Sequence, residues 1–508
     1  MVGPRRSVPS RVVLAGGSVL LLVAWLLGCG SEEGGDVSAR CPEGQVRFDG
    51  ACIDDPREDV VSDASDVDEP PGEDAAEDLG GSDAAVDVNA PDAGDWQVAE
   101  CLPGQSATTL RGRVTIPSGE LPLPGVSVYI PSAPPAPIET GARCVRCIDG
   151  TGRMPLAETT TDTWGEFTLS PVPHGENIPL VVEVGNWRRQ VVIPEVQPCQ
   201  VLSLSPEVTR LPRHQDEGDI PQFAVTTGGW DAIECLLRKI GIDDREFTPE
   251  SGGGRVHLFA GRSGTDRYAP HLNSGAPFTQ AWVWWERLDN LRQYDIILHS
   301  CEGSTHGSDK SVAARQALME FTELGGRVFL SHYHYYWLSA GPEEFRRVAN
   351  WASTDSALDS RETGLIDTSF AKGGQLAQWM METGTVPYGE FPIDQPRGSI
   401  RDIDETLATL WVWIEPTCNP LIASAFPFLC SPGGRAIQYF SFNTPVLSSV
   451  EDQCGRVVFS DIHVSAGDNS SPERPFPTGC TSQGLTPQEK ALVFMLFDLS
   501  RCVASDKF

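Results

Sequence analysis

Between Tyr294 and Trp337 two short apolar runs, Ile296 to Leu298 and Val328 to Leu330, bracket a segment whose Ala314, Ala317, Leu318, Phe321 and Leu324 recur at helical spacing. Strand, helix and strand at this length make a parallel crossover, which is right-handed in nearly all proteins. That unit commits the region to an open α/β sheet. Each strand ends in chemically capable residues: His299, Ser300, Cys301 and Glu302 after the first, and Ser331, His332 and His334 after the second. Ligands of open parallel sheets bind beyond the carboxyl ends of the strands, so the pattern locates a site before it says what the site does.

The flanking sequence extends the same alternation. PQFAVTTGGWDAIECLLRKIGI from Pro221 reads as a strand, a glycine turn and a helix with Ile233, Leu236, Leu237 and Ile240 on one face. The Gly228-Gly229 turn lacks the dinucleotide-binding glycine fingerprint, and Asp231 would repel phosphate, so it is read as a tight turn. Val256 to Ala260 predicts a strand, Phe278 to Leu291 a helix, Gly455 to Phe459 a last strand and Gln488 to Leu499 a closing helix. Between Ser339 and Ser448, AKGGQLAQWMMETG predicts a helix, and LATLWVWIEP and AIQYFSFNTPV predict strands.

Three strand ends should therefore converge: Cys301 with Glu302, His332 with His334, and Asp461 with His463. If His332 to His334 is extended, alternation places both imidazoles on one face, a spacing for two ligands of one metal. His332, His334, His463 and a carboxylate, Asp461 or alternatively Glu302, are the expected ligands of a divalent metal, the one cofactor the pattern suggests, whose bound water would be the nucleophile. His306 and Asp309 are candidates for contacts behind the ligands. Alternatively Cys301 is a nucleophile with His332 or His463 as its base, which requires Cys301 to be unpaired and not bridged to Cys235. Glu302, Tyr333 and Trp337 are candidate ligand-binding residues, the aromatic supply suiting a glycan. Against all of these stands a hydrogen-bonded aromatic rim with no chemistry.

Compartment follows from the start of the chain and from cysteine use. Arg5, Arg6 and Arg11 precede an apolar run from Val12 to Leu27, a secretory signal pattern too short for an ordinary membrane span. Of 14 cysteines, those outside the signal should mostly be disulfides in an oxidising space. Cys41 with Cys52, Cys101 with Cys199, Cys144 with Cys147 as a loop bridge, and Cys418 with Cys430 are the expected pairs. Cys454, Cys480 and Cys502 frame the last strand and helix, where two could pair. From Asp54 to Asp95 sixteen acids meet only Arg57 as a base. Such a run cannot repay its ordering entropy and should be a self-repelling, disordered tether. The net charge of -32 excludes nucleic acid as a partner through bulk electrostatics.

Leu110 to Leu204 alternates like strands in RGRVTI, GVSVYI, GEFTLSPV, IPLVVEVG and RQVVIP, with Pro and Gly turns at sandwich spacing. LPLPGVSVYIP followed by TTTDTWGEFTLSPVPHG resembles the carboxypeptidase regulatory-like domain, on Thr161, Asp162, Gly165 and Phe167. That resemblance implies a prealbumin-like β-sandwich, noncatalytic and sometimes carbohydrate-associated. The later βα pattern, with Tyr294-Asp295 and Gly325-Gly326, resembles the ThuA-like branch of the class I glutamine amidotransferase-like fold. It departs where catalytic relatives place a cysteine after the second strand, since Ser331-His332-Tyr333-His334 stands there, so glutamine hydrolysis is not implied. Leu26-Leu27-Gly28-Cys29 resembles a bacterial lipobox, which implies acylation of Cys29, and Gly30 after it implies the outer membrane. The whole arrangement resembles lipoproteins of myxobacteria-like genomes.

The expected organisation is multidomain: signal peptide 1–28, small Cys loop 29–53, acidic linker 54–99, β-sandwich 100–212, and an amidotransferase- or flavodoxin-like α/β open parallel sheet over 213–508. The favoured function is a lipid-anchored envelope protein, with the bacterial membrane as partner, binding a glycan or small molecule. A secreted metal- or cysteine-dependent hydrolase and an envelope scaffold for protein partners are the alternatives.

Overall fold

The structure is a computed structural model that describes residues 45–48, 51–54, 96–147, 154–351, 358, 361–384, 386–430, 433–464 and 467–504. The signal segment, the expected lipidation site Cys29, the Cys41–Cys52 staple and nearly all of the acidic run lie outside the described residues. The chain divides into two compact units, Met1–Val86 and Asp87–Phe508. In the first, strands β1 (Gln45–Phe48) and β2 (Ala51–Asp54) form an antiparallel hairpin with Gln45 opposite Asp54.

The second unit is mixed α/β with several sheets. Its first seven strands are β3 (Thr109–Arg113), β4 (Ser127–Ile130), β5 (Ala157–Thr160), β6 (Glu166–Leu169), β7 (Gly175–Val184), β8 (Trp187–Val196) and β9 (Val201–Ser203). They make a three-stranded sheet, β6-β3-β9, and a four-stranded one, β5-β4-β7-β8. Leu110, Phe167 and Leu169 of the first share a buried cluster with Val128, Ile178, Leu180 and Val182 of the second. Cys101 and Cys199 are bridged as expected.

The remaining strands are β10 (Phe223–Thr226), β11 (Phe247–Thr248), β12 (Val256–Ala260), β13 (Thr279–Gln280), β14 (Ile296–His299), β15 (Arg327–Ser331), β16 (Ala349–Trp351), β17 (Arg361–Ile366), β18 (Glu390–Asp394), β19 (Ile400–Ile403), β20 (Thr409–Ile414), β21 (Ala436–Thr444) and β22 (Gly455–Ser460). One large sheet runs β11-β12-β10-β14-β15-β22-β21-β20-β17-β18, with β13 also against β12 and β16 paired separately to β19. From β11 to β22 the neighbours are parallel, and beyond β22 they are antiparallel. The central order β12-β10-β14-β15-β22 is the doubly wound 2-1-3-4-5 arrangement, whose order reverses between β10 and β14. Every residue of β10, β12, β14, β15 and β22 is buried, which is why these strands read as continuous apolar runs and do not alternate. Helix Val312–Glu323 joins β14 to β15 and buries Ala314, Ala317, Leu318 and Phe321.

Three expectations need correction. Cys144 and Cys147 do not bridge each other: Cys144 pairs with Cys454 and Cys147 with Cys502, tying the seven-stranded part to the end of the chain. Cys454, Cys480 and Cys502 therefore do not pair among themselves, Cys480 bonding Cys235. Phe278 to Leu291 is not one helix but two turns, Ala281–Trp284 and Leu288–Leu291, with Arg287 extended between them. The break lets Trp284 stack on Phe259 with ring centroids 4.0 Å apart while Trp285 meets Trp337 edge-on at 5.0 Å. Among the described residues no helix is long and apolar enough to cross a membrane.

Candidate functional site

The register aligns the strand ends. His299 lies opposite Thr226 on one side and Leu330 on the other, and Ser331 lies opposite Ser460. The residues that follow emerge along one edge, flanking the point where strand order reverses. Cys301 is buried and is the free cysteine among the described residues. Its Sγ is 3.4 Å from His332 Nδ1. One donor atom from each of Cys301, His332 and His463 lies within 4.8 Å of the others.

Local folding explains how His332 reaches this point. The Ser331 hydroxyl donates to Asp231 Oδ2 at 2.5 Å, and the Val464 N–H donates to Oδ1 at 2.9 Å. Asp231 thus joins the ends of β15 and β22 that carry the two histidines. Its carboxyl is pushed up to about 7 by burial, against the pull of those two hydrogen bonds. His332 then turns with φ +37°, a left-handed conformation costing a bulky residue about 1–3 kcal/mol. The chain enters a 3₁₀ turn, His332–Tyr335, so the extended alternation expected for His332 and His334 does not apply.

His334 is accordingly not brought to the cluster. It accepts from Trp337 Nε1 on Nδ1 at 2.9 Å, which leaves Nε2 protonated to donate to the Ser300 carbonyl at 2.8 Å. Both nitrogens are used, and burial holds its pKa well below the ordinary histidine value. Asp461 turns instead to Ser399, whose hydroxyl donates to it at 2.5 Å. Glu302 accepts from the Arg262 N–H at 2.9 Å and from Lys310 Nζ at 2.6 Å, a buried ion pair under the edge. Trp337 is buried, stacked on His299 at 5.4 Å, and so is a packing residue and no rim. Asp309 pairs with Arg262 at 2.6 Å. Of the expected ligand-binding residues, Tyr333 is the one left half-buried, its ring 4.1 Å from that of His332.

His463 is buried, its pKa pushed well below the ordinary value by burial and by His332. Its Nε2 has no hydrogen-bond partner. A buried polar atom left bare costs about 1–3 kcal/mol, so the site keeps an unsatisfied nitrogen beside a thiol.

Sequence reasoning passed over Trp230, which is 60% exposed. Its N–H donates to the Cys301 carbonyl at 3.1 Å, and its indole covers Gly303, where a Cβ would lie 2.2 Å from the ring. The Gly228-Gly229 turn has the same cause. A Cβ on Gly228 would stand 2.3 Å from the Cys301 carbonyl oxygen, so glycine allows the β10 and β14 loops to touch. The available signal was a large aromatic directly after a glycine pair at a strand end.

Chemically, this edge offers a thiol next to an imidazole, a second imidazole with a bare nitrogen, and an exposed indole. No family model matches the chain, and no curated protein matches it. Among solved structures it is similar to a ThuA-like protein from Bacteroides uniformis (11% identity, TM-score 0.28, 55% of this chain and 91% of that one). It is also similar to a ThuA-like protein from Parabacteroides merdae (9%, TM-score 0.27, 52% and 94%), and to a cohesin–X-dockerin complex from Acetivibrio cellulolyticus (15%, TM-score 0.14, 30% and 81%). The first two carry the name of the branch that Tyr294-Asp295 and Gly325-Gly326 resemble. Likeness at this level carries no functional argument, and the function is read from geometry.

Proposed function

We propose that this chain is a cell-envelope protein, held at the outer membrane by a lipid on Cys29, whose α/β domain binds a glycan or other small polar ligand without amidotransferase chemistry. The observation that carries the reading is the convergence of Cys301, His332 and His463 at the edge where Trp230 is exposed. The exposed indole of Trp230 and half-buried Tyr333 and Tyr335 supply faces for sugar stacking, and the polar cluster supplies orientation. In the same reading the seven-stranded part is a regulatory-like β-sandwich. Its support is the Asp162 turn, where Oδ1 accepts the N–H groups of Trp164 and Glu166, both at 2.9 Å.

The test is thermal melting of the full-length protein with envelope oligosaccharides. Saturation near 100 times Kd stabilises by about 2.7 kcal/mol. Trp230→Ala should weaken binding about tenfold through the lost stacking face. If no oligosaccharide shifts the melt, or if Trp230→Ala binds as tightly as the parent, the reading is wrong. For the anchor, Cys29→Ala should move the protein from the membrane to the soluble fraction.

A second reading, a hydrolase, is favoured by the 3.4 Å approach of Cys301 Sγ to His332 Nδ1. There His332 takes the thiol proton, the thiolate attacks the acyl carbon and the C–O or C–N bond breaks as the leaving alcohol or amine takes that proton, after which water cleaves the thioester to release the acid and the thiol. Ester or amide turnover lost in Cys301→Ser would support it.

A further inference from the structure

Three separate strand ends bring a thiol and two imidazoles to one point: Cys301 after β14, His332 after β15 and His463 after β22. All three side chains are buried. Two features remain unexplained by packing. His463 Nε2 is shut from solvent without a hydrogen-bond partner, although buried polar nitrogens are bonded as a rule. His332 holds a left-handed backbone at the position where it meets Cys301.

We infer that these three side chains, at the same edge proposed above to bind ligand, hold a zinc-class divalent cation through Cys301 Sγ, His332 Nδ1 and His463 Nε2. Tetrahedral zinc separates a thiolate sulfur from an imidazole nitrogen by about 3.6 Å. Cys301 Sγ and His332 Nδ1 are 3.4 Å apart. Thiolate and imidazole select a borderline metal, whereas magnesium and calcium want the oxygen ligands this trio lacks. On binding, the Cys301 proton leaves to solvent, sulfur and both nitrogens donate electron pairs, and the bare nitrogen of His463 is satisfied. Three protein ligands leave a fourth position for water or for a donor atom of the bound ligand. Coordination also accounts for a thiol that stays reduced in a chain with five described disulfides.

The test uses full-length protein purified without chelator, with zinc chloride as the probe. Elemental analysis should give about one zinc per chain. Loss of an outer partner of a ligand costs 10–100-fold in affinity, so Cys301→Ala and His463→Ala should each cost more than about 100-fold. Cobalt in place of zinc should give the parent a thiolate-to-metal charge-transfer band that Cys301→Ala lacks. Should a variant fail to fold, iodoacetamide labelling of the native parent decides, Cys301 reacting faster once a chelator has removed the metal. No zinc, equal zinc affinity in parent and variants, or labelling indifferent to chelator overturns the inference. Zinc bound as described with no oligosaccharide response leaves the metal centre standing and removes the glycan reading. Oligosaccharide binding by a protein that takes no zinc does the reverse.

Discussion

His332 and His334 are two residues apart and have opposite fates. His334 is locked by Trp337 and the Ser300 carbonyl, whereas His332 faces Cys301. His334→Ala would strand a buried indole N–H and a buried carbonyl, each costing about 1–3 kcal/mol. We expect it to lower the unfolding free energy by about 3 kcal/mol in total while zinc stoichiometry is retained; loss of zinc at unchanged stability would reverse the assignment. Glu234 gives a pH signature. Burial pushes its carboxyl up to about 7, so the native state binds its proton more tightly than the unfolded chain does. Native proton uptake exceeds unfolded uptake from about pH 4.5 to about 7, so stability falls as pH rises through that window and levels off above it. Glu234→Gln should match the parent near pH 4 and exceed it at pH 8 by on the order of 3 kcal/mol. Urea melts at the two pH values check this, and equal slopes for parent and variant would show that Glu234 ionises without penalty.

Among the elements, the closing helix Pro487–Leu499 shows how one residue can serve both as cap and as counterion. Thr486 Oγ1 accepts from the Glu489 N–H at 3.3 Å, and Glu489 Oε2 accepts from the Thr486 N–H at 2.8 Å, a reciprocal capping box. Glu489 also binds Lys239 Nζ at 2.9 Å, in a buried group that includes Asp468. Thr486→Ala should cost about 1 kcal/mol, the value of an N-cap. Glu489→Ala should cost about 3 kcal/mol, because it also leaves a buried ammonium with one acid in place of two. Chemical denaturation of the two variants measures the difference, and equal losses would mean that the Lys239 contact contributes nothing. Strands β10, β14, β15 and β22 were legible because buried parallel strands are unbroken apolar runs with polar ends. The helix expected over Phe278 to Leu291 was not, because its tryptophans answer to Phe259 and Trp337, which are distant in sequence.

Across the whole second unit, Cys144–Cys454 and Cys147–Cys502 fasten the seven-stranded part to the start of interior strand β22 and to the segment after the closing helix. With the first bridge closed, the second adds a loop of roughly 50 residues and not one of hundreds. Replacing Cys147 and Cys502 by Ala should then cost about 4 kcal/mol in the chain-entropy model. Denaturant midpoints and proteolytic nicking near Val145 check it; an unchanged midpoint would mean that the neighbouring bridge and the Arg146–Val503 pairing already hold the two parts.

What the sequence determined by itself was local: apolar runs and helical spacing set the parallel elements, and the polar residues at their ends marked an edge. Which of those residues meet was decided only in three dimensions. Strand order set Cys301 beside His332 and His463, Asp231 drew the two histidine-bearing ends together, and the 3₁₀ turn sent His334 into the core. Cys101–Cys199 and Cys418–Cys430 were legible because each pair flanks one local unit, whereas the partners of Cys144, Cys147 and Cys235 were beyond reach, since those pairings depend on which distant loops the fold brings within bonding distance.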